Sequence, residues 1–423
     1  MAPLTAHDVA DLGLAPLGRA RVEWATRQMP VLASVRERFR KEQPLRGVRI
    51  GASLHVTAET AVLLSTLAAG GAELSVCASN PLSTNDEVAA FLAADEEIAT
   101  FARRGEAPAD YLGHVDAVLD RSPALTVDDG CDLVDRLHAT RREQLGKVLA
   151  GTEDTSTGAL RLRALAERGG LGYPVLALSG AATRTLADNR HGTGQSTIDG
   201  ILRSTNVLLA GASVVVAGYG NCGRAVASRA RGLGALVTVT EVDPLKALEA
   251  VTDGFNVLPM ERAAEIGQLF VTATGNRDVL RPEHFEKMRE GAILANAGQF
   301  DVEIDVAGLE RLSGGHRRLR PLVDEYTVGS PARRLLLLAE GRVVNLAAAD
   351  GHPPQVMDLS FTVQALACEW LVGHAAGLSS SVHDLPEGID DEIARLKLEA
   401  MGVEIDRLSD EQRRYLANWG VVS

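Results

Sequence analysis

Short runs of β-branched and aliphatic residues alternate with stretches whose apolar positions recur at helical spacing. Val48–Ala52 reads as a buried strand and Thr57–Ala69 as a helix with Thr57 placed to cap it. Glu73–Ala78 follows as a strand, Ser83–Asp95 as a helix and Ala124–Val127 as another strand. A second series opens near Asn206, with strands at Ser213–Ala217, Leu236–Thr240, Leu269–Thr274 and Ile293–Asn296 and a helix over Arg224–Leu233. Strand–helix–strand alternation favours parallel sheets with right-handed crossovers. The pattern therefore predicts an α/β chain of two doubly wound parallel-sheet domains joined by a hinge. The expected division is residues 1–180 with 352–385 in one domain, 190–350 in the other, and 386–423 as a helical tail. Connections near Ala181–Ser196 and Ala347–His352 supply the hinge, and the apolar helix Phe361–Val372 returns to the first domain.

In such sheets ligands sit at the carboxyl ends of the strands. His55, Asn80 and Asp129 all fall there, which makes a pocket a better reading than three unrelated caps. Gly180–Ser196 is polar and Gly-rich and reads as a connection that also carries site residues.

The Ser213–Ala217 strand runs straight into Gly218-Tyr-Gly220-Asn221-Cys-Gly223 and then into a helix, with Glu241 at the end of the next strand. That context raises a weak motif to a specific one. Gly218 allows the tight turn, Gly220 lets the backbone approach a pyrophosphate, and Gly223 permits close helix–strand packing. The helix N-terminus offers unpaired N–H groups to the phosphates. Glu241 can accept both ribose hydroxyls and would repel a 2′-phosphate, so the expected cofactor is NAD.

Composition narrows the partners. The 423 residues carry a formal charge of −13, which disfavours nucleic acid and anionic membranes as general partners. Four scattered cysteines show neither a disulfide framework nor a metal-ligand spacing, so no metal is expected. With no signal-like segment and no apolar run near the ~20 residues of a membrane helix, a cytoplasmic protein is expected.

Many segments in order resemble the S-adenosylhomocysteine hydrolase family over nearly the whole chain. They include His55-Val-Thr57-Ala-Glu59-Thr60, Asn80-Pro-Leu-Ser83-Thr84, Asp128-Asp129-Gly130, Asp154-Thr155-Ser156-Thr157-Gly158, Asp188-Asn189, Phe300-Asp301 and Gly351-His352-Pro353. The resemblance implies that NAD stays bound through the cycle and takes a hydride from the ribose 3′ carbon. The ketone acidifies the 4′ C–H, loss of that proton expels the 5′ substituent, and the ketone is later reduced. It also implies an adenine pocket at Thr57, Glu59 and His352, and 5′-side acid–base chemistry at His55 and Asp129. Ribose or nicotinamide contacts are implied at Asn80, Asp188, Asn189 and Thr155–Thr157, with Asn276 and Asn345 added to the cofactor set.

The departures from the family pattern fall on one side of the sugar. Arg184 stands where the family has a lysine, and Gln299 where it has a histidine; Asp154 and Thr193 replace a glutamate and a cysteine. The family's C-terminal extension is absent. An arginine cannot serve as a base, but a buried guanidinium can stabilise an alkoxide or enolate. Asp188 is then the expected base with Arg184 as its electrostatic partner. Burial would raise that carboxyl and the guanidinium would lower it. His191 has the better intrinsic pKa, although a histidine of a connecting segment commonly faces solvent. Asp154 and Gln299 are assigned to substrate contact. The expected activity is NAD-dependent oxidation and elimination on an adenine nucleoside, of dehydratase or lyase type. Hydrolysis of S-adenosylhomocysteine is the alternative, and a non-catalytic nucleoside-binding protein the third reading. A homo-oligomer with weaker NAD retention than the family's is expected.

Overall fold

A computed structural model describes residues 6–417; residues 1–5 and the last six positions of the expected tail lie outside the described residues. Among the described residues fifteen strands, β1–β15, form two sheets. The first is seven-stranded and wholly parallel, in the order β15 (Val382–Asp384), β6 (Val175–Ala177), β5 (Ala150–Glu153), β4 (Leu125–Asp128), β1 (Arg49–Leu54), β2 (Glu73–Ala78), β3 (Ala99–Phe101). After their first residue β1 and β2 are buried throughout, because helices cover both faces of a parallel sheet. That is why they read as continuous apolar runs. Thr57 caps helix Ala58–Ala69, accepting from the Thr60 N–H.

The second sheet is eight-stranded, in the order β12 (His316–Arg320), β13 (Val323–Val328), β14 (Arg333–Leu338), β11 (Ala292–Asn296), β10 (Leu269–Thr272), β7 (Ser213–Ala217), β8 (Leu236–Thr240), β9 (Asn256–Val257). Strands β14, β11, β10, β7, β8 and β9 run parallel, but β12, β13 and β14 pair antiparallel. The expected parallel sheet thus carries an antiparallel extension at this edge. The connections around Leu322 and Gly329–Ala332 are far too short for a crossover, so the chain can only turn back as hairpins.

The Gly180–Ser196 connection supplies Arg184, Asp188, Asn189 and Thr193 to the cavity and is itself helical. A short turn at Ala182–Arg184 leads into a π-helix over Thr185–Gly192 and an α-helix over Thr193–Thr205. Its glycines serve close packing: a Cβ on Gly192 would lie 2.9 Å from the His352 ring, and one on Gly194 2.7 Å from the Ala225 carbonyl. The helical tail expected over 386–423 is broken in the middle: one helix spans Glu387–Ala400, Gly402 adopts φ +66° just after it, and a second helix spans Asp410–Ala417.

Gly223 has no spare volume, since a Cβ there would lie 2.0 Å from the Gly218 carbonyl oxygen. Gly223→Ala should lower stability by about 1–3 kcal/mol, the usual range for overpacking. A thermal scan of the NAD-free protein checks this.

Candidate active site

The carboxyl ends of both sheets face one cavity of about 460 Å³. Residues at the end of β1, just past β4 and β5, on the π-helix, in the glycine turn after β7 and in the loop after β11 line it together.

On one wall stand His55 and Asp129. His55 Nε2 lies 3.3 Å from Asp129 Oδ2, while its Nδ1 meets the hydroxyls of Ser83 (2.8 Å) and Ser79 (3.1 Å). Burial holds His55 neutral, its pKa pushed down to about 3. Burial also raises Asp129, against the opposing pull of the Arg184 guanidinium. Gln299 donates its amide to Asp129 Oδ1 at 3.1 Å. Its loop is shaped by Asn296, wholly buried, whose amide nitrogen donates to the carbonyls of Gly298, Phe300 and Gly341. Gln299 thus reaches a protein side chain while also lining the cavity.

On the opposite wall Arg184 is buried between two carboxylates. Its Nη1 is 2.9 Å from Asp154 Oδ1 and its Nε 3.3 Å from Asp188 Oδ2. Asp188 has further partners, His352 Nδ1 at 2.7 Å and the Ser360 hydroxyl at 3.2 Å. Burial alone would raise Asp188, but His352 and Arg184 outweigh it and hold the carboxyl well below the usual range. Asp154, which shares Arg184 and has no imidazole, is pushed above that range by burial. Three buried carboxyls thus compete for one guanidinium, and Asp188 wins the charge. A carboxylate so held is a weak base, which counts against the role expected of it. His352 lies against the π-helix and Asp188, and its Nε2 faces Thr193 Oγ1 at 3.3 Å and Asn345 Nδ2 at 3.5 Å. His191 is exposed on the outer side of the π-helix and does not line this cavity.

Thr57 and a buried Glu59, its carboxyl raised by burial, line a third part of the cavity. Thr155, Ser156 and Thr157 line the cavity on the side of the loop after β10. Glu153 accepts from the Thr155 N–H (2.8 Å) and hydroxyl (2.6 Å), and a Cβ on Gly275 would come within 3.2 Å of Thr157 Oγ1.

The cofactor residues pass a fit test. Gly220 would place a Cβ in open space, so the backbone leaves room for a pyrophosphate. Helix Asn221–Gly232 begins there with no side-chain cap, leaving its first amides for an anion. Gly218 needs its glycine at φ +96°. Glu241 sits just after β8 and accepts from the N–H groups of Tyr219, Val242 and Asp243. Asn345 Oδ1 is buried without a hydrogen-bond partner, an acceptor suited to a carboxamide N–H such as nicotinamide carries. Asn189 lies by Cys222, whose thiol burial keeps protonated, its pKa raised to about 11. Asn276 is exposed and, like Glu241, is not among the cavity-lining residues.

The sequence reading gave no role to Ser79, Ser83, Asn296, Lys246 or Ser360. Ser83 lies in the Asn80–Thr84 segment and Lys246 at the start of helix Pro244–Thr252, after Glu241; Ser79, Asn296 and Ser360 reach the site only through tertiary packing. Among the described residues no cluster suited to a metal ion occurs, and no helix is long and apolar enough to cross a membrane.

A parallel nucleotide-binding sheet facing a second α/β sheet across an acid–base cavity defines an NAD-dependent enzyme. The S-adenosyl-L-homocysteine hydrolase family model matches residues 6–151, and the NAD binding domain of S-adenosyl-L-homocysteine hydrolase matches residues 189–351. The chain is 56% identical to the adenosylhomocysteinase of Aquifex aeolicus, over 97% of this chain and 98% of the relative. It is 52% identical to that of Thermosynechococcus vestitus, over 98% and 96%. It is also 51% identical to the S-inosyl-L-homocysteine hydrolase of Methanopyrus kandleri, over 98% and 97%. The chain belongs to the S-adenosyl-L-homocysteine hydrolase family, and its cofactor is NAD.

Proposed function

We propose that this enzyme hydrolyses the 5′-thioether of a purine-nucleosyl homocysteine by oxidation, elimination and water addition. The observation that carries the reading is one cavity with His55–Asp129 on one wall and Arg184 between Asp154 and Asp188 on the other. Bound NAD supplies a hydride acceptor at the sugar and returns the hydride at the end. Asp154 takes the hydroxyl proton, and Arg184 stabilises the oxygen that becomes negative, as preorganised cations do. Asp129 gives its proton to the departing sulfur with His55 as neutral relay. Once ionised, Asp129 is the base the incoming water needs, so the same pair serves both halves of the cycle. Thr57 and Glu59 face the purine, and the relatives' names cover both a 6-amino and a 6-oxo base.

A second reading, elimination that stops at an unsaturated nucleoside, rests on Gln299, which cannot titrate and leaves Asp129 as the proton store nearest the leaving group. Incubating the NAD-loaded enzyme with S-adenosylhomocysteine and with S-inosylhomocysteine, a thiol reagent present, separates them. Free thiol with the saturated nucleoside supports hydrolysis, and an unsaturated nucleoside supports elimination. Neither thiol nor NADH absorbance with either compound overturns both.

The pH dependence follows from Asp154, whose pKa is pushed up to about 7. A base must be ionised, so NADH formation from a bound nucleoside should fall roughly tenfold per pH unit below that value. Asp154→Asn should remove that limb and lower the rate by about 10²–10⁴. Stopped-flow absorbance across pH 5–9 checks both. Association into a homo-oligomer is supported by Leu245, Leu248 and Val251, exposed at helical spacing on Pro244–Thr252.

A further inference from the structure

We propose that Ser83 is a positioning residue: it fixes the His55 ring with its proton on Nδ1 and so places the proton that His55 and Asp129 share on Asp129. This rests on the oxidation–elimination reading above and supplies what makes Asp129, and not the imidazole, the acid at the leaving group.

The polarity of each hydrogen bond is set by the partner behind it. Ser83 is buried, and its hydroxyl donates to the Asn80 carbonyl at 2.9 Å, so towards His55 its oxygen can only accept. His55 Nδ1 lies 2.8 Å from that oxygen and therefore carries the ring proton. Burial keeps the imidazole neutral, with a single N–H, which leaves Nε2 bare. Nε2 faces Asp129 Oδ2 at 3.3 Å, where two bare acceptors would repel each other, so the shared proton sits on Oδ2. The other carboxyl oxygen agrees, because Oδ1 accepts from the Gln299 amide at 3.1 Å. From Gln299 through Asp129, His55 and Ser83 to the Asn80 carbonyl, every donor points the same way.

Ser79 is the rival partner. Its hydroxyl lies 3.1 Å from the same Nδ1 and is free to donate or to accept, so alone it would hold either tautomer. Ser83 decides between them because its own proton is already spent on Asn80. Neither side can swing away. The Thr60 hydroxyl donates to the His55 carbonyl at 2.6 Å. The Asn80–Ser83 turn is closed by the Leu82 N–H on Asn80 Oδ1 at 2.9 Å and by the Ser83 N–H on the Asn80 carbonyl at 3.1 Å.

The arrangement serves both halves of the cycle. As the C5′–S bond breaks, the sulfur leaves with its electron pair and takes the proton from Asp129 Oδ2. Oδ2 and Nε2 are then two acceptors facing one point, and a water that donates to both turns its lone pair outwards to C5′. The opposite tautomer would set an N–H against Asp129 and hold it ionised. A neutral imidazole N–H is far too weak an acid to take its place.

The test has two arms. In the first, nitrogen-15 NMR of histidine-labelled protein, with the His55 signals assigned by their loss in His55→Gln, should show the His55 proton on Nδ1. Ser83→Ala should move a share of it to Nε2, whereas Ser79→Ala should leave it in place. A proton on Nε2 in the unsubstituted protein overturns the proposal whatever the substrate, and so does a Ser83→Ala ring that keeps the parent tautomer. In the second arm the NAD-loaded enzyme is given S-adenosylhomocysteine and S-inosylhomocysteine with a thiol reagent. In Ser83→Ala thiol release should fall by about 10–10², part of the roughly 10²–10⁴ that acid–base groups contribute. Ser83→Thr, which keeps the hydroxyl, should retain the parent tautomer and recover most of the rate. Parent-rate thiol release from a Ser83→Ala protein whose tautomer has shifted overturns the proposal and leaves the hydrolase reading intact. A parent enzyme that releases no thiol from either thioether overturns the hydrolase reading instead, and the NMR arm still decides the tautomer.

Discussion

Gly220→Val is expected to leave the protein folded and to weaken NAD binding by at least about a hundredfold, or about 2.7 kcal/mol. The backbone at Gly220 has φ −71°, a value any residue adopts, and a Cβ there meets no protein atom within 4 Å. Folding therefore has no reason to resist the substitution. The empty side of Gly220 lies where the uncapped first turn of Asn221–Gly232 directs its amides, so branched methyl groups would occupy the approach of the pyrophosphate. The contrast with Gly223 is the control, because substitution there damages the fold with or without cofactor. Calorimetric titration of NAD and an NAD-free melting curve measure the two effects separately. A variant that binds NAD normally would show that the phosphates lie elsewhere.

Arg184→Leu should be the most damaging single change in the cavity. It leaves Asp154 and Asp188 buried without the cation between them, and removing one partner of a buried ion pair costs about 3–5 kcal/mol. The loss should be smaller in mild acid. Without the guanidinium the Asp154 pKa rises further, and protonation removes the unpaired charge; stability falls as pH climbs through that raised value. Arg184→Lys keeps the charge but cannot span both carboxylates, so it should recover most of the stability and less of the activity. Denaturant titrations at pH 5.5 and pH 8, with turnover measured alongside, give both quantities. Equal destabilisation at the two pH values would overturn the electrostatic account.

The parts of this molecule legible in its sequence are those whose chemistry is local. The Ser213–Ala217 strand and its glycine turn could be read because each glycine answers a steric demand a few residues away, and Thr57 because a cap and its helix are contiguous. The antiparallel edge was not, since an apolar run such as Arg333–Leu338 pairs equally well in either direction until its turns are known. Gly180–Ser196 could be placed as a connection carrying site residues, but its glycine and polar residues do not announce a helix. Here they mark a helix pressed against Ala225 and His352. In the site, His55, Asp129, Arg184 and Asp188 could be named, but which carboxyl holds a proton could not. That depends on His352, more than 160 residues beyond Asp188 in the chain, choosing Asp188 over Asp154. Gln299 likewise shows its partner only when two sheets face each other.

The winding of Thr185–Gly192 bears on how the two halves of the enzyme can move. The Thr193 amide reaches back five residues to the Asp188 carbonyl, a wider coil than the α-helix that follows it. Arg184, just before the coil, and Asp188, within it, grip the nucleoside-facing wall, while Gly194, just after it, is wedged on helix Asn221–Gly232 of the NAD sheet. The extra residue shifts the angular phase between those two attachments, so one continuous rod addresses both bodies at once. Rotation of one body relative to the other would be taken up at this loosened turn as torsion. Deleting a single residue here would rewind it to the ordinary pitch and disturb the placement of Asp188 relative to the Gly194 attachment.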